Sequence, residues 1–290
     1  MCVSYETKII TYKDSNGVSF LYNTLPGRVL LYLLVKTTVS KLYGFLMDAP
    51  VSRCLIKGFV KRNNIDMKEY RNIKYKSFND FFKREIKKEC RPFSDDPHDL
   101  SAPCDGKLTA YPITADGAFT IKNSIYTIEN LLANKTLADE FIGGVCLIFR
   151  LTTDDYHRYA YIDNGESVSR EKINGVLHTV RPIAHQRYKV FVQNTREYEV
   201  MKTDSFGKVI QTEVGALFVG RITNHKNRRS FKRGDEKGMF EFGGSTVIML
   251  FQKDSIKLDD DIYENTRQNK ETIVKMGYTI GKKSITGKEW

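Results

Sequence analysis

The chain has 290 residues, enough to bury a substantial core, and its 41% hydrophobic and 12% aromatic content excludes a disordered polymer. Forty-six Lys and Arg against 35 Asp and Glu leave a formal charge of +11, which points to nucleic acid, an acidic membrane surface or a phosphate-bearing substrate. The plainer alternative is a basic, solvated surface. Five cysteines (Cys2, Cys54, Cys90, Cys104 and Cys146) stand singly without a CxxC pair, which argues against a disulfide framework or a zinc site and fits a reducing compartment.

Met1–Gly17 is polar, so no cleavable signal peptide is expected. Two short apolar runs, Thr7–Tyr12 and Val18–Tyr22, flank Asn16-Gly17 and predict a hairpin. From Pro26 to Arg62, Leu30, Leu31, Leu33, Leu34, Leu42, Phe45, Leu46, Leu55, Ile56 and Phe59 recur at helical spacing. Arg28, Lys36, Lys41, Arg53, Lys57, Lys61 and Arg62 punctuate them. Such basic amphipathic helices either lie in a membrane interface or pack on the core with lysines outward. The run Val29–Val35 is far short of the roughly 20 residues of a membrane span, so no crossing is expected.

Phe78–Lys88 predicts a further helix, with Phe78, Phe81 and Phe82 on one face. Beyond Arg91-Pro92 the pattern changes to short apolar runs separated by Gly, Asn and Asp: 144–151, 176–180, 187–192, 213–222 and 246–251. The tail from Asp259 is polar, with a short helix expected over Tyr263–Met276. The expected class is therefore α+β: a mainly antiparallel β core over 91–290, preceded by a hairpin and amphipathic helices over 1–90.

Near the C-terminus, Gly243-Gly244-Ser245-Thr246 runs into the buried-type stretch Val247–Phe251. The glycines free the backbone and the strand fixes the residues beyond them, a geometry able to press the Ser245 hydroxyl against the Gly244 carbonyl. An ordinary turn is the alternative. Among the histidines, His98 and His225 sit in polar turns and His185 in a loop. His157 lies in Asp154-Asp155-Tyr156-His157-Arg158, where carboxylates and a guanidinium crowd an imidazole and can poise it for proton transfer. His178 interrupts a strand-like run and reads first as a core residue. Asp105, in Pro103-Cys104-Asp105-Gly106, reads first as a turn former. No Walker loop, HExxH, GxSxG elbow or RNP-like aromatic ladder is present, so metalloprotease and hydrolase readings fall away and nucleic acid is not the expected partner.

Taken together, these segments resemble the phosphatidylserine decarboxylase family. The likeness runs through Phe78–Arg84, Arg91-Pro92, Ala102–Gly106, Asp155–Arg158, Glu213–Ala216 with Val219-Gly220, and Lys237-Gly238 to Thr246, in the family's order. The resemblance implies self-processing between Gly244 and Ser245 into a large chain, Met1–Gly244, and a small chain whose first residue, Ser245, becomes a pyruvoyl group. That ketoamide carbonyl can condense with the substrate amine and delocalise the charge left by decarboxylation, which dispenses with a separate cofactor or metal. The resemblance also implies an Asp-His-Ser processing triad in which Asp105 matches the aspartate. Many members carry a second histidine three residues after the one in Asp-Tyr-His-Arg, and here that position is Ala160. His178 is the candidate for the missing base, and His157 matches the histidine that assists decarboxylation.

With phosphatidylserine as the implied substrate, the basic helices gain a reason to dock on an anionic membrane, peripherally and on the cytoplasmic side. A homodimer is implied as well. The alternatives are a decarboxylase of another serine-headed lipid or amino-acid derivative, and an unprocessed lipid-binding relative.

Overall fold

The computed structural model describes residues 7–8, 16–121, 124–217, 221–225, 229–241, 243 and 245–284. A two-residue strand β1 (Thr7–Lys8) precedes helices α1 (Asn16–Asn23), α2 (Leu25–Leu34), α3 (Thr37–Asp48), α4 (Leu55–Arg62) and the short α5 (Phe78–Phe82). Thr24 accepts the Gly27 N–H at 3.1 Å and Pro26 sits in the first turn, so α2 starts at a capped, pre-shaped end. Ser77 does the same for α5, accepting the Asp80 N–H. Tyr22, Leu31 and Val35 turn into the main core, and Met47, Ile56, Phe59 and Val60 pack on Phe78, Phe81 and Phe82. The opposite faces remain uncovered: Leu25, Val29, Tyr32, Leu42, Phe45 and Val51 are each more than 60% exposed.

Strands β2 (Asp99–Ser101), β3 (Gly106–Pro112), β4 (Ala118–Ile121) and β5 (Ser124–Thr127) lead to short helices α6 (Ile128–Leu132) and α7 (Lys135–Asp139). Next come β6 (Val145–Leu151), β7 (Arg158–Ala160), β8 (Gly165–Ile173) and the single-turn helices α8 (Pro182–His185) and α9 (Val190–Gln193). The remainder is β9 (Arg196–Thr203), β10 (Gly207–Val214), β11 (Ile222–Asn224), β12 (Ser230–Phe231), β13 (Glu236–Phe240), β14 (Ser245–Phe251), β15 (Ile256–Leu258), α10 (Asp260–Arg267), β16 (Glu271–Val274) and β17 (Thr279–Lys283).

Among the described residues, nine strands form one sheet in the order β1-β16-β3-β6-β14-β10-β9-β8-β12, and its pairings are antiparallel. β14 lies at its centre with both faces covered. Ile248 and Leu250 enter one core with Tyr22, Phe119 and Tyr198, while Val247, Met249 and Phe251 enter the other with Phe149, Tyr159 and Phe240. A strand buried on two sides reads as an unbroken apolar run, which is why Val247–Phe251 is legible from sequence. The small sheet β11-β13-β7 covers the second face.

The α+β class expected from the sequence holds, but several local expectations do not. The hairpin over residues 7–22 is absent: Thr7 and Lys8 pair with β16, residues 9–15 lie outside the described residues, and Asn16–Asn23 is helix. Val18, Leu21 and Tyr22 share a helical face that packs on the core, and this burial overrides the turn signal of Asn16-Gly17. The Phe78–Lys88 helix stops at Phe82. Residues 176–180 form a loop joined to Asn194 by one bridge, and 187–192 ends in the α9 turn rather than a strand. The run over 213–222 breaks after Val214. The tail helix lies earlier than expected, at Asp260–Arg267, and Asn269 at φ 57° turns the chain into β16.

Candidate active site

Ser245 is the first residue of β14, opposite Leu151 of β6, and Thr246 pairs with Val214 of β10. Hydrogen bonding on both sides makes the backbone rigid from this residue onward. The Ser245 Oγ is buried and has no hydrogen-bond partner among the described residues, a state that native structures rarely tolerate without a reason. Just upstream, Gly243 has φ 116°, a backbone region that side chains with a Cβ disfavour. Phe242 and Gly244 lie outside the described residues. Further upstream, β13 ends at Phe240, whose N–H donates to the His157 carbonyl at 2.9 Å.

His157 lies in the loop from β6 to β7, 1% exposed, with its ring 4.3 Å from that of Phe82. Its Nδ1 is 2.9 Å from the Asp155 carbonyl oxygen. A carbonyl can only accept, so Nδ1 carries the proton and Nε2 the lone pair. Nε2 is itself buried without a partner among the described residues. Burial first, and the Arg84 guanidinium second, lower the His157 pKa to about 3. The ring is therefore neutral at physiological pH, with a free acceptor nitrogen. Lys107 holds the loop through Asp155 and Thr152, both at 2.6 Å, and Arg84 donates to the Asp154 and Asp155 carbonyls.

Asp105 immediately precedes β3. A Cβ at Gly106 would stand 3.1 Å from the Arg150 carbonyl oxygen, so the Asp-Gly pair reflects close approach of neighbouring strands. The Asp105 carboxylate receives two hydrogen bonds from Arg91, at 2.9 and 2.7 Å, and one from the Met276 N–H at 2.8 Å. Arg91 also reaches Glu69 at 3.1 Å. The aspartate is thus oriented by a guanidinium, not set against an imidazole. Arg150 of β6 pairs with Lys107 on one side and Thr246 on the other. Asp105 and Ser245 accordingly stand at the same end of the sheet, two strands or about 10 Å apart, and the chain leaving β6 between them carries His157.

His178 is placed elsewhere. Its ring stacks on Tyr188 at 4.0 Å and meets Tyr22 edge-on, and both tyrosines belong to the core on the far face of the sheet from Val247 and Phe149. The Tyr22 hydroxyl accepts the Thr179 N–H at 3.0 Å and lies within hydrogen-bond distance of His178 Nδ1, at 3.3 Å. Burial lowers the His178 pKa to about 4. The structure brings Ser245, His157 and Asp105 to one end of the sheet and leaves His178 out of that group.

A buried charged cluster on the Val247 face is not anticipated by the sequence motifs. Lys237 lies 2.8 Å from Glu213 and 3.5 Å from Glu199, and Asn224 donates to Glu213 and Glu197 at 3.1 Å each. Arg170 pairs with Glu199 at 2.9 Å. Asn224 and Tyr159 also line an open cavity of about 1100 Å³, together with Arg91, Arg158, His225 and Met276. The signal for it is Glu197, Glu199, Gln211 and Glu213 at alternating positions of two apolar strands, which sets charges inward.

The family model for phosphatidylserine decarboxylase matches residues 78–282 of the chain. The chain is 50% identical over 271 residues to phosphatidylserine decarboxylase proenzyme 2 of Clostridium acetobutylicum, covering 93% of this chain and 92% of that protein. It is 41% identical over 287 residues to the phosphatidylserine decarboxylase proenzyme of Clostridium perfringens, covering 96% and 98%. A third relative, the proenzyme of Ruminiclostridium cellulolyticum, is 41% identical over 267 residues, covering 90% and 89%. With its matching motifs gathered at one end of the sheet, the chain belongs to the phosphatidylserine decarboxylase family.

Proposed function

We propose that the chain is a proenzyme that cleaves itself at Gly244–Ser245 and then decarboxylates phosphatidylserine to phosphatidylethanolamine and CO2 at a membrane surface. The observation that carries this reading is the Ser245 hydroxyl: buried, unpartnered among the described residues, fixed from the strand side, with Gly243 two residues upstream at positive φ. In the proposed processing, Ser245 Oγ bonds to the Gly244 carbonyl carbon and the peptide C–N bond breaks, giving an ester and a free Ser245 amine. Loss of the Cα proton and of the Gly244 carboxylate opens the Cβ–Oγ bond. Water then replaces nitrogen at Cα, and ammonia leaves.

The resulting pyruvoyl carbonyl supplies the electron sink for decarboxylation. The buried head of β14 suits it, because the group at residue 245 then lies in a dry, rigid setting. Neutral His157, whose Nε2 has no partner among the described residues, is the group proposed to take and return the proton at the substrate carbon next to this carbonyl. Asp105 is proposed to act from its anchored position on Arg91. His178, packed against Tyr22 and Tyr188 in the core on the other face of the sheet, is not assigned the base role.

For the lipid, the exposed apolar faces of α2, α3 and the segment after Ala49 are proposed to enter the interface. Each nearby Lys or Arg adds about 1 kcal/mol of attraction to anionic lipid. Among the described residues no single helix is long and apolar enough to cross a bilayer, and α2 and α3 meet at 70°. The cytoplasmic side is proposed because Cys54, Cys90, Cys104 and Cys146 are free thiols.

The test is an intact mass spectrum of the denatured protein, followed by CO2 release from phosphatidylserine vesicles. The expected result is two species, with Ser245–Trp290 lighter by one ammonia than a serine-started peptide, and CO2 released. A single full-length mass would favour an unprocessed lipid-binding protein.

A further inference from the structure

Glu241 lies four residues before Ser245 and is 13% exposed at its side chain. Four side chains converge on it. Arg221 pairs with its carboxylate at 2.8 Å, Asn79 donates to it at 3.2 Å, Thr223 at 3.3 Å, and Lys83 stands at 3.8 Å. The Glu241 N–H donates to the Arg221 carbonyl at 3.1 Å. Asn79, 1% exposed on α5, also donates to Asp48 at 2.7 Å, and Asp48 is the last residue of α3. The cluster lies outside the charged group around Lys237 and takes no part in the chemistry assigned to Ser245, His157 and Asp105.

We propose that Glu241 and Asn79 are positioning residues for self-cleavage. This inference rests on the reading that Gly244–Ser245 is cleaved. The acyl shift needs the serine oxygen held within van der Waals reach of the preceding carbonyl carbon, which requires both sides of the bond to be fixed. β14 fixes the downstream side. Upstream, Gly243 at φ 116° brings no Cβ and no side chain that could anchor the segment, and Glu241 is the last described side chain before Gly243 and Ser245. Its clamp determines where the carbonyl is presented. Through Asn79, the same clamp is tied to the end of α3.

The test is a time course of precursor cleavage after cell-free synthesis of the full chain. Unfolding midpoints are measured for the same substitutions in a Ser245→Ala background. Glu241→Gln keeps the shape but removes the charge that Arg221 binds, and Asn79→Asp sets a carboxylate against Glu241 and Asp48. Each is expected to slow cleavage about tenfold or more; the midpoint of Glu241→Gln stays close to that of the parent, whereas Asn79→Asp, which sets a buried carboxylate among two others, lowers it. The double variant Asn79→Asp/Glu241→Gln is expected to recover part of the rate, since the new amide can donate to the new carboxylate. Parent-like cleavage of either single variant would overturn the proposal, as would slowing of Glu241→Gln matched by a collapse of its midpoint. If the unaltered chain cleaves while Glu241→Gln is unaffected, only the positioning role fails. A parent chain that never cleaves overturns the processing reading as well.

Discussion

Lys237 Nζ lies 2.8 and 2.9 Å from the two carboxylate oxygens of Glu213, and neither residue is more than 1% exposed. The pair joins β13, which leads to the candidate cleavage segment, to β10, which flanks Ser245 in the sheet. Burying two charges is expensive, and their attraction offsets the expense only while both are present. Lys237→Met is therefore expected to destabilise the chain by about 3–5 kcal/mol, whereas Glu213→Gln/Lys237→Met recovers part of that loss. Urea midpoints in a Ser245→Ala background measure both. Burial raises the Glu213 pKa and Lys237 opposes it, so removing the lysine raises it further. A carboxyl raised in the folded state binds protons the unfolded chain has released, so the variant's deficit should deepen as pH rises above the ordinary carboxyl range. A deficit independent of pH would contradict this.

The two buried histidines predict the acid limb of stability. Their folded pKa values, about 3 for His157 and about 4 for His178, lie below the ordinary 6.5. Between those values the unfolded chain holds more protons than the folded one, so stability is lost as pH falls from about 6.5. Each group contributes a slope of up to about 1.4 kcal/mol per pH unit. Asp155 and Glu213, both raised by burial, act in the opposite sense near the bottom of this window. Urea midpoints between pH 7 and pH 4.5 should fall, and His178→Gln should flatten the fall. An unchanged slope would mean that this ring is not held neutral by the fold.

The same two rings separate in chemistry. His157 Nε2 has no hydrogen-bond partner among the described residues and lies on the chain leaving β6 at the end of the sheet where Ser245 stands, whereas His178 packs on Tyr22 and Tyr188 in the other core. His157→Gln is expected to lower decarboxylation by about 10²–10⁴-fold, the range of a lost proton-transfer group. His178→Gln should still yield the Ser245–Trp290 fragment. Mass spectra and CO2 release read both outcomes, and an uncleaved His178→Gln chain of normal stability would return the base role to that residue.

Much of this arrangement is legible in the chain itself, for identifiable reasons. Val247–Phe251 is readable because burial on both faces removes alternation, whereas Asp105-Gly106, which reads first as a turn, owes its glycine to the close approach of Arg150 on the neighbouring strand. The helix at Asn16–Asn23 is not, since Tyr22 finds its partners Thr179 and His178 more than 150 residues away. His178 is ambiguous for the same reason: its strand-like neighbours do not reveal which face of the sheet receives it. Glu213 and Lys237 each sit in recognisable segments, yet only the folded register makes them one ion pair. The Arg91–Asp105 contact likewise replaces an expected imidazole with a guanidinium that sequence spacing could not assign.

The apolar face of the N-terminal helices yields the last prediction. Leu42 is 63% exposed and Phe45 71% exposed on α3, and Val51 beyond it is 77% exposed, with Lys41, Arg53 and Lys57 nearby. An uncovered patch of this kind, rimmed by positive charge, fits an anionic lipid interface. Phe45→Glu removes apolar contact and adds repulsion while sparing the core, because the Phe45 ring faces outward. Co-sedimentation with vesicles containing phosphatidylserine should fall about tenfold or more, while turnover on a short-chain, monomerically dissolved phosphatidylserine stays near the parent value. Raising salt should weaken the parent's binding too, since part of it is screened attraction. If Phe45→Glu binds vesicles as the parent does, this face is not the docking surface.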